Sequence, residues 1–432
     1  MHVKLSPARI WAANAITAIL DHGQSMDDFL AGPNGFTAMS PRDRALARAI
    51  AGTVLRHLGQ VDAILALYLA KPLPSKAGLM RAILRCATAE ILFLRSPAFA
   101  IVNEAVSMAA SKGKTRAFRH LANAVLRKVA AEGPECLKDI PTTINIPDWL
   151  RQSWQEAYGD AAVENAAKIL VEDQPTDLTV FRDPAIWAKI LNGTSIGGPS
   201  LRIAPADRQA GDVTKWAGFA EGAWQVQDVA AALPALILNA GAEENVIDLC
   251  AAPGGKTAQL AASGAKVTAV ERSSSRLERL NQNMKRLGLK VQSVCADALQ
   301  WKPEILADAV LVDAPCTATG VFRRHPDVLA LKTPEQVRDM ANTQFAILTA
   351  AANMLRPGGR LIYCVCSAQV EEGEDVARRA LKELPLAPLP IETGALSYVQ
   401  AFVKANELRI PPGAWADKGG LDAFYIAAFT RQ

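Results

Sequence analysis

No run in this 432-residue sequence approaches the roughly 18 consecutive apolar residues that a membrane-spanning helix requires. The start, MHVKLSPARIWAANAI, lacks the apolar core and small-residue cleavage site of a secretory leader. The seven cysteines, at 86, 136, 250, 295, 316, 364 and 366, are odd in number and without paired spacing, which argues against a disulfide framework. No C-x-x-C pair has a matching pair downstream, so no metal site is expected. The dinucleotide signature G-x-G-x-x-G is absent. A phosphate loop ending at Lys256 and Thr257 would need glycine where Cys250 stands. What these absences leave is a cytoplasmic protein with reduced thiols and no membrane partner.

Half of the residues are apolar and 21% are charged, a globular composition, and the length predicts two or three domains. The net charge of +4 is unevenly spread. Residues 1–140 carry 18 Lys and Arg against 10 Asp and Glu, and the remainder carries 29 against 33. That asymmetry points to a polyanion at the N-terminal part. The stretch SKGKTRAFRHLANAVLRK holds six basic residues and no acid between Lys112 and Lys128. It reads either as a solvated helix face or as a nucleic-acid contact.

Residues 1–140 predict an all-helical domain. Leu46, Ile50, Val54, Leu58 and Val61 recur every three or four positions and form one apolar stripe. Pro72, Pro74 and Pro97 punctuate the helices, and the proline-containing segment near 132–147 predicts a linker. Residues 141–225 mix helix-like and strand-like pieces, which predicts a small α+β domain. From 226 to 432, short apolar strands (NVIDLC, KVTAVE, LKVQSVCAD, DAVLVDAP, GRLIYCVCS) alternate with helices, the pattern of a doubly wound, parallel α/β sheet. The tail offers two more strands without a helix between them and predicts an antiparallel hairpin at one sheet edge.

The first of these strands runs into DLCAAPGGKT. A glycine-containing turn between strand and helix lets backbone approach a ligand closely and aims helix amides at it. Glu271 ends the second strand, where an acid can hold two ribose hydroxyls; Asp297 follows the third and Asp313 the fourth. Four consecutive strand ends thus carry glycine or acid on the carboxyl edge, where open sheets bind ligands. Acids around a ribose, without a phosphate-binding lysine pattern, suit S-adenosylmethionine. Cys316 lies three residues past Asp313 on that edge. Cys364 and Cys366 share one face of the fifth strand, with Cys366 nearer the edge and Cys364 one pleat deeper. Cys86, Cys136, Cys295 and Cys364 read as buried small hydrophobes.

At DLCAAPGGKT, DAPCTATGVFRRHPD and YCVCS the sequence resembles the RNA cytosine-5 methyltransferases of the NOL/NOP/Sun type, and within them the bacterial Sun family, whose target is small-subunit ribosomal RNA. The likeness covers nearly the whole chain. Residues 1–140 resemble the NusB-like RNA-binding domain of those enzymes, and EGAWQVQDVAA resembles the entry to a Rossmann-like S-adenosylmethionine-dependent catalytic domain. The chain departs from the family pattern at Val365, Glu271 and Ala423, where Thr, Asp and Gly are usual. The resemblance implies that Cys250, Ala251, Ala252, Pro253, Gly254, Gly255, Lys256, Glu271, Asp297 and Asp313 line the cofactor site. It implies that Cys366 is the nucleophile and that Cys316 assists product release.

Chemistry supports those roles, because adding a thiolate to carbon 6 of cytosine activates carbon 5. Asp313 can stabilise the adduct at the ring nitrogen, and Lys256 can help lower the thiol's pKa. Arg323, Arg324 and His325, with Lys112, Lys114, Arg116 and Arg119, are the expected RNA contacts. Other readings are action on tRNA or another RNA, a DNA cytosine-5 methyltransferase using the Pro315-Cys316 motif, and a non-enzymatic RNA-binding antitermination factor.

Overall fold

The computed structural model describes residues 5–111, 113–392 and 394–432. The chain divides into two units, Met1–Glu156 with Phe322–Lys332, and Ala157–Val321 with Thr333–Gln432.

The first unit is helical, as the apolar stripes predict. Its main helices are Pro7–His22, Pro41–Arg56, Leu58–Tyr68, Gly78–Leu92, Ala98–Ser111 and Arg119–Cys136. Ile50, Val54 and Val61 are buried with Trp11, Ile16, Leu84 and Val125 in one core, against which Leu46 and Leu58 pack at the margin. Ser40 caps the Pro41 helix by accepting from the Asp43 amide, and proline at the first position costs that helix no hydrogen bond. Within this core Arg9 donates to Glu90 at 2.9 and 2.7 Å and also pairs with Glu104. No single helix among the described residues is long and apolar enough to cross a membrane.

The expected linker is structured. The last helix runs through Pro134 to Cys136, and two short turns, Leu137–Asp139 and Thr142–Asn145, follow. They fold against helix Leu58–Tyr68: the Gln60 amide donates to Asn145 Oδ1 at 3.0 Å, and Gln60 Nε2 donates to Ile140 O at 3.1 Å. Residues 141–156 belong to the helical unit and 157–225 to the second unit. Phe322–Lys332 also belongs to the helical unit. There Phe322 lies 5.3 Å from Trp154, and Asp327 accepts from the Met26 amide at 3.0 Å.

The second unit contains a small antiparallel sheet of β1 (Thr176–Val180), β2 (Thr194–Gly197), β3 (Ser200–Ile203) and β4 (Trp224–Val226), in the order β2-β3-β1-β4. The larger sheet holds β5 (Asn245–Leu249), β6 (Lys266–Glu271), β7 (Gln292–Cys295), β8 (Ala307–Asp313), β9 (Leu355–Val365), β10 (Leu386–Pro388), β11 (Val403–Lys404), β12 (Glu407–Ile410) and β13 (Phe424–Arg431). Its order is β11-β12-β13-β9-β8-β5-β6-β7, with β10 on β13. β7, β6, β5, β8 and β9 are mutually parallel, whereas β13 and β12 join antiparallel, the tail hairpin that the sequence predicts.

Helices cover both faces, which is why these strands are continuous apolar runs. Val229–Leu238 packs on one side with Val246, Leu311, Ile362 and Cys364. Pro334–Met354 and Glu374–Glu383 pack on the other with Ile247, Val310, Val312 and Tyr363. The strands β4, β10 and β11, of two or three residues, are too short to carry a pattern readable from sequence. Arg202 of β3 joins the small sheet to the tail by gripping Asp177 at 2.7 Å twice and donating to the Gly420 carbonyl at 2.9 Å.

Candidate active site

The strand order reverses between β5 and β8, and the carboxyl edge at such a reversal is where doubly wound sheets take ligands. After β5 the chain turns through Cys250 at φ 58° and Gly254 at φ 101°. A Cβ at Gly254 would also lie 3.0 Å from Leu280 and 3.1 Å from Met284, so glycine is required there twice over. Ala251 and Ala252 are buried and Pro253 is exposed; helix Gly255–Ala262 begins at the end of the turn. The entry segment braces it: Gln225 Nε2 donates to the Gly255 carbonyl at 2.8 Å, and Gln227 Nε2 to Gln259 at 2.9 Å. Asp248, one pleat before the end of β5, is fully buried and accepts from Thr257 Oγ1 at 2.6 Å. Burial and the nearby Asp313 carboxylate, only partly offset by Thr257 and Lys256, push its carboxyl up to about 7.

Glu271 closes β6 with its carboxylate buried. Oε1 accepts from the Ser273 amide at 3.0 Å, while Oε2 has no hydrogen-bond partner, although Arg276 lies 3.3 Å from it. A buried carboxylate oxygen awaiting a donor fits the ribose of S-adenosylmethionine, and Glu serves where Asp is the family's usual choice. Asp297 is exposed and its Oδ1 accepts from the Leu299 amide at 2.9 Å, so it also closes the turn after β7.

Two side chains converge on Asp313 at the end of β8. Lys256 Nζ donates to Oδ2 at 2.7 Å, and the Cys364 thiol donates to Oδ1 at 3.5 Å. Burial depresses the Lys256 ammonium, but the Asp313 charge and hydrogen bond outweigh it and the pKa rises. Cys364 is fully buried in the sheet core, as expected, and burial together with Asp313 raises its thiol well above the usual range. It is therefore a core residue that is also an uncharged donor to the site's central acid. The half-buried sulfurs of Cys316 and Cys366 face one another at 3.5 Å, across the neighbouring ends of β8 and β9. The hydrogen bond to Cys366, then burial, holds the Cys316 thiol well above its usual range.

Several expected residues lie elsewhere. Arg323 is 1% exposed, so its guanidinium is inside the protein and unavailable to phosphate; Arg324 is exposed and His325 half-buried in the same segment. Lys114, Arg116 and Arg119 are exposed, as an RNA-contacting face requires, and Lys112 lies outside the described residues. Cys295 is exposed on the edge strand β7, not buried, and Cys136 is half-buried beside the Tyr68 hydroxyl at 3.6 Å. Ala423, in the glycine position of the family pattern, is fully buried, and its amide donates to Gly320 O at 3.0 Å. Sequence reasoning passed over Asp248 and Glu372. Asp248 lay in view inside the first motif, whereas nothing marked Glu372 apart from its neighbouring acids.

The buried acid at the end of β6 and the facing thiols past β8 and β9 lie at the carboxyl ends of strands of one sheet. Fold and site together define the class: an S-adenosylmethionine-dependent methyltransferase. A family model described as 16S rRNA methyltransferase RsmB/F matches residues 235–430, and the NusB family model matches residues 6–131. Ribosomal RNA small subunit methyltransferase B of Vibrio vulnificus (strain YJ016) is 31% identical over 450 residues, covering 98% of this chain and 99% of that relative. The protein of the same name from Sodalis glossinidius (strain morsitans) is 33% identical over 402 residues, covering 89% of this chain and 91% of its own. The crystal structure of PH0851 shares the fold over 99% of this chain and 100% of that one, with a TM-score of 0.77 and 22% identity. This chain belongs to the RsmB/F family of 16S rRNA methyltransferases and carries a NusB-family domain at its N-terminus.

Proposed function

We propose that this protein methylates carbon 5 of a cytosine in small-subunit ribosomal RNA through a covalent adduct on Cys366. The observation that carries the reading is the 3.5 Å approach of Cys316 and Cys366 at the ligand edge of the sheet. One thiol suffices for addition to the base; the second has work only where a proton must be removed before the first can leave.

In this reading Cys366 Sγ adds to carbon 6, and the electron pair of the 5,6 double bond moves toward the ring nitrogen and carbon 5. In this reading Asp313 passes a proton from the buried Lys256 ammonium to that nitrogen as charge develops there, and takes it back when the ring is restored. The turn from Cys250 to Lys256, with Glu271 and Asp297, would hold S-adenosylmethionine, whose methyl group carbon 5 would take as S-adenosylhomocysteine leaves. Cys316 then takes the carbon 5 proton, and the released electron pair re-forms the double bond and expels Cys366. The main cause of Cys316's reluctance to ionise is its hydrogen bond to Cys366, with the Cys366 charge contributing after burial. The target base must leave its stack to reach thiols set between strand ends.

The test is incubation with methyl-labelled S-adenosylmethionine and undermodified small-subunit rRNA, followed by mapping of methylcytosine. Label at one or a few rRNA cytosines is the expected result. Label in DNA or tRNA with none in rRNA overturns the substrate, and N-methylated products overturn the chemistry.

A further inference from the structure

After Cys366 the chain reads SAQVEEGED, a run of carboxylates that the methyl-transfer scheme leaves unused. Glu371 and Asp375 are exposed, and Glu374 grips Arg409 at 2.9 Å. Glu372 turns inward and is completely buried. We infer that Glu372 is a positioning residue: its carboxylate ties the loop bearing Cys316 to the loop bearing Cys366 and so sets the separation of the two thiols.

The hydrogen bonds carry the argument. Oε1 accepts from the Thr317 amide at 2.8 Å and from Gln344 Nε2 at 3.0 Å. Oε2 accepts from Ser367 Oγ at 2.5 Å and from Thr317 Oγ1. Thr317 follows Cys316 and Ser367 follows Cys366, so one side chain holds the immediate neighbour of each thiol. Gln344 also donates to the Pro315 carbonyl at 2.9 Å, which fixes the other side of Cys316. The Glu372 carbonyl accepts from the Tyr363 hydroxyl at 2.5 Å, tying its own turn back to β9.

A second set of bonds runs parallel to the first. Thr319 Oγ1 and Ser367 Oγ are 3.2 Å apart, and the Gly320 amide donates to the Cys366 carbonyl at 3.0 Å. No side chain fits at Gly320, where a Cβ would lie 2.0 Å from the Ala423 carbonyl oxygen and 2.9 Å from that of Cys366.

A carboxylate is the group this position calls for. It accepts at about four sites and donates at none, and four donors point at it. An amide in its place would have to aim its N–H groups at the Thr317 and Ser367 hydroxyls and turn both from donors into acceptors. Burying a charge is costly unless it is fully hydrogen-bonded. The cost is met at the one place where two separate loops must be held to within a fraction of an ångström of each other. The carboxylate charge has a further effect: Glu372 is among the groups that keep the Cys316 thiol protonated.

The inference rests on Cys316 and Cys366 being the reacting pair, but its test does not require turnover. Diamide oxidises two thiols to a disulfide and takes up two electrons and two protons. The rate at which it joins Cys316 to Cys366, followed by peptide mass mapping of the full chain, reports the approach of the sulfurs alone. In Glu372→Gln that rate is expected to fall at least tenfold, and kcat for RNA methylation by about 100-fold, the loss typical of an ångström-scale misplacement. The KM for S-adenosylmethionine should stay unchanged. Glu372→Asp should recover part of both rates.

Where Glu372→Gln does not fold, Thr317→Val and Ser367→Ala remove one donor each and should each slow disulfide formation several-fold. Wild-type disulfide rates in the folded variants overturn the inference, as does a kcat loss with no change in disulfide rate. An active Cys366→Ala enzyme overturns the catalytic scheme instead, and leaves the disulfide measurement valid.

Discussion

Lys256 and Asp313 meet at 2.7 Å from different elements, the helix after β5 and the end of β8, with the lysine buried. Removing Asp313 leaves the buried ammonium without its counter-ion, and removing Lys256 leaves the half-buried Asp313 carboxylate unpaired. Lys256→Met and Asp313→Asn are each expected to lower kcat by roughly 100-fold or more, the range for a proton-handling group. Because the two act as one unit, the double variant should be little worse than the poorer single variant. Methyl incorporation under saturating cofactor and RNA measures all three; full additivity would mean independent roles.

The two thiols should separate kinetically. Cys366→Ala is expected to abolish turnover and adduct formation. Cys316→Ser should still add to the base and transfer methyl but stall with protein bound covalently to RNA. A denaturing gel after incubation with RNA and cofactor shows the adduct as a shifted band. A band from Cys366→Ser in place of Cys316→Ser would reverse the roles.

Asp248 makes stability depend on pH. Its carboxyl, ordinarily near 3.8, sits at about 7 when folded because it is buried. Between those values the folded chain keeps a proton that the unfolded chain has released. Stability therefore falls as pH rises through this window, by up to about 1.4 kcal/mol per pH unit, and levels off above it. Asp248→Asn, which still accepts from Thr257, should flatten the dependence and stabilise the protein at pH 8. Denaturation midpoints between pH 4 and 8 measure it; parallel curves for variant and wild type would count against a buried, protonated Asp248.

Glu271 Oε2 is buried without a hydrogen-bond partner, in reach of a ribose. Hydrogen bonds to a charged acceptor contribute roughly 1.5–3 kcal/mol each. Glu271→Ala is thus expected to weaken S-adenosylhomocysteine by about 10- to 100-fold in calorimetric titration. Unchanged affinity would remove Glu271 from the cofactor site.

Lys114, Arg116 and Arg119 are exposed together at the start of the last helix of the NusB-family domain. Replacing all three with Gln should weaken RNA binding and reduce the slope of log Kd against log salt by roughly one per cation removed. Filter binding from 50 to 300 mM salt gives the slope. An unchanged slope would mean that RNA lies elsewhere. Arg323→Gln is expected to lower the melting temperature and leave the salt slope alone, since that side chain is buried.

Much of the site was legible because it is local. Strand ends and the turn after β5 are spelled out by short apolar runs that stop at glycine or an acid, and position along the strand puts Cys366 nearer the edge than Cys364. The residues missed are those whose role comes from distant neighbours. Glu372 looked like one of several solvated acids until Thr317 and Gln344, 55 and 28 positions away, closed over it. Arg323, expected from its place in a basic loop to contact RNA, is buried. The proline-rich stretch near 132–147 looked like a tether but docks on Gln60, because loop composition does not say what covers a loop.

The sequence by itself determined the helical first part, the parallel sheet with its antiparallel tail, the carboxyl-edge acids and the two thiols of interest, since periodicity and strand-end chemistry are written within a few residues. Tertiary structure alone decided that Cys316 and Cys366 stand 3.5 Å apart, that Lys256 and Cys364 share Asp313, and that residues 141–156 and 322–332 join the helical unit. Each of these is a contact between segments far apart in the chain, and only packing brings such segments together.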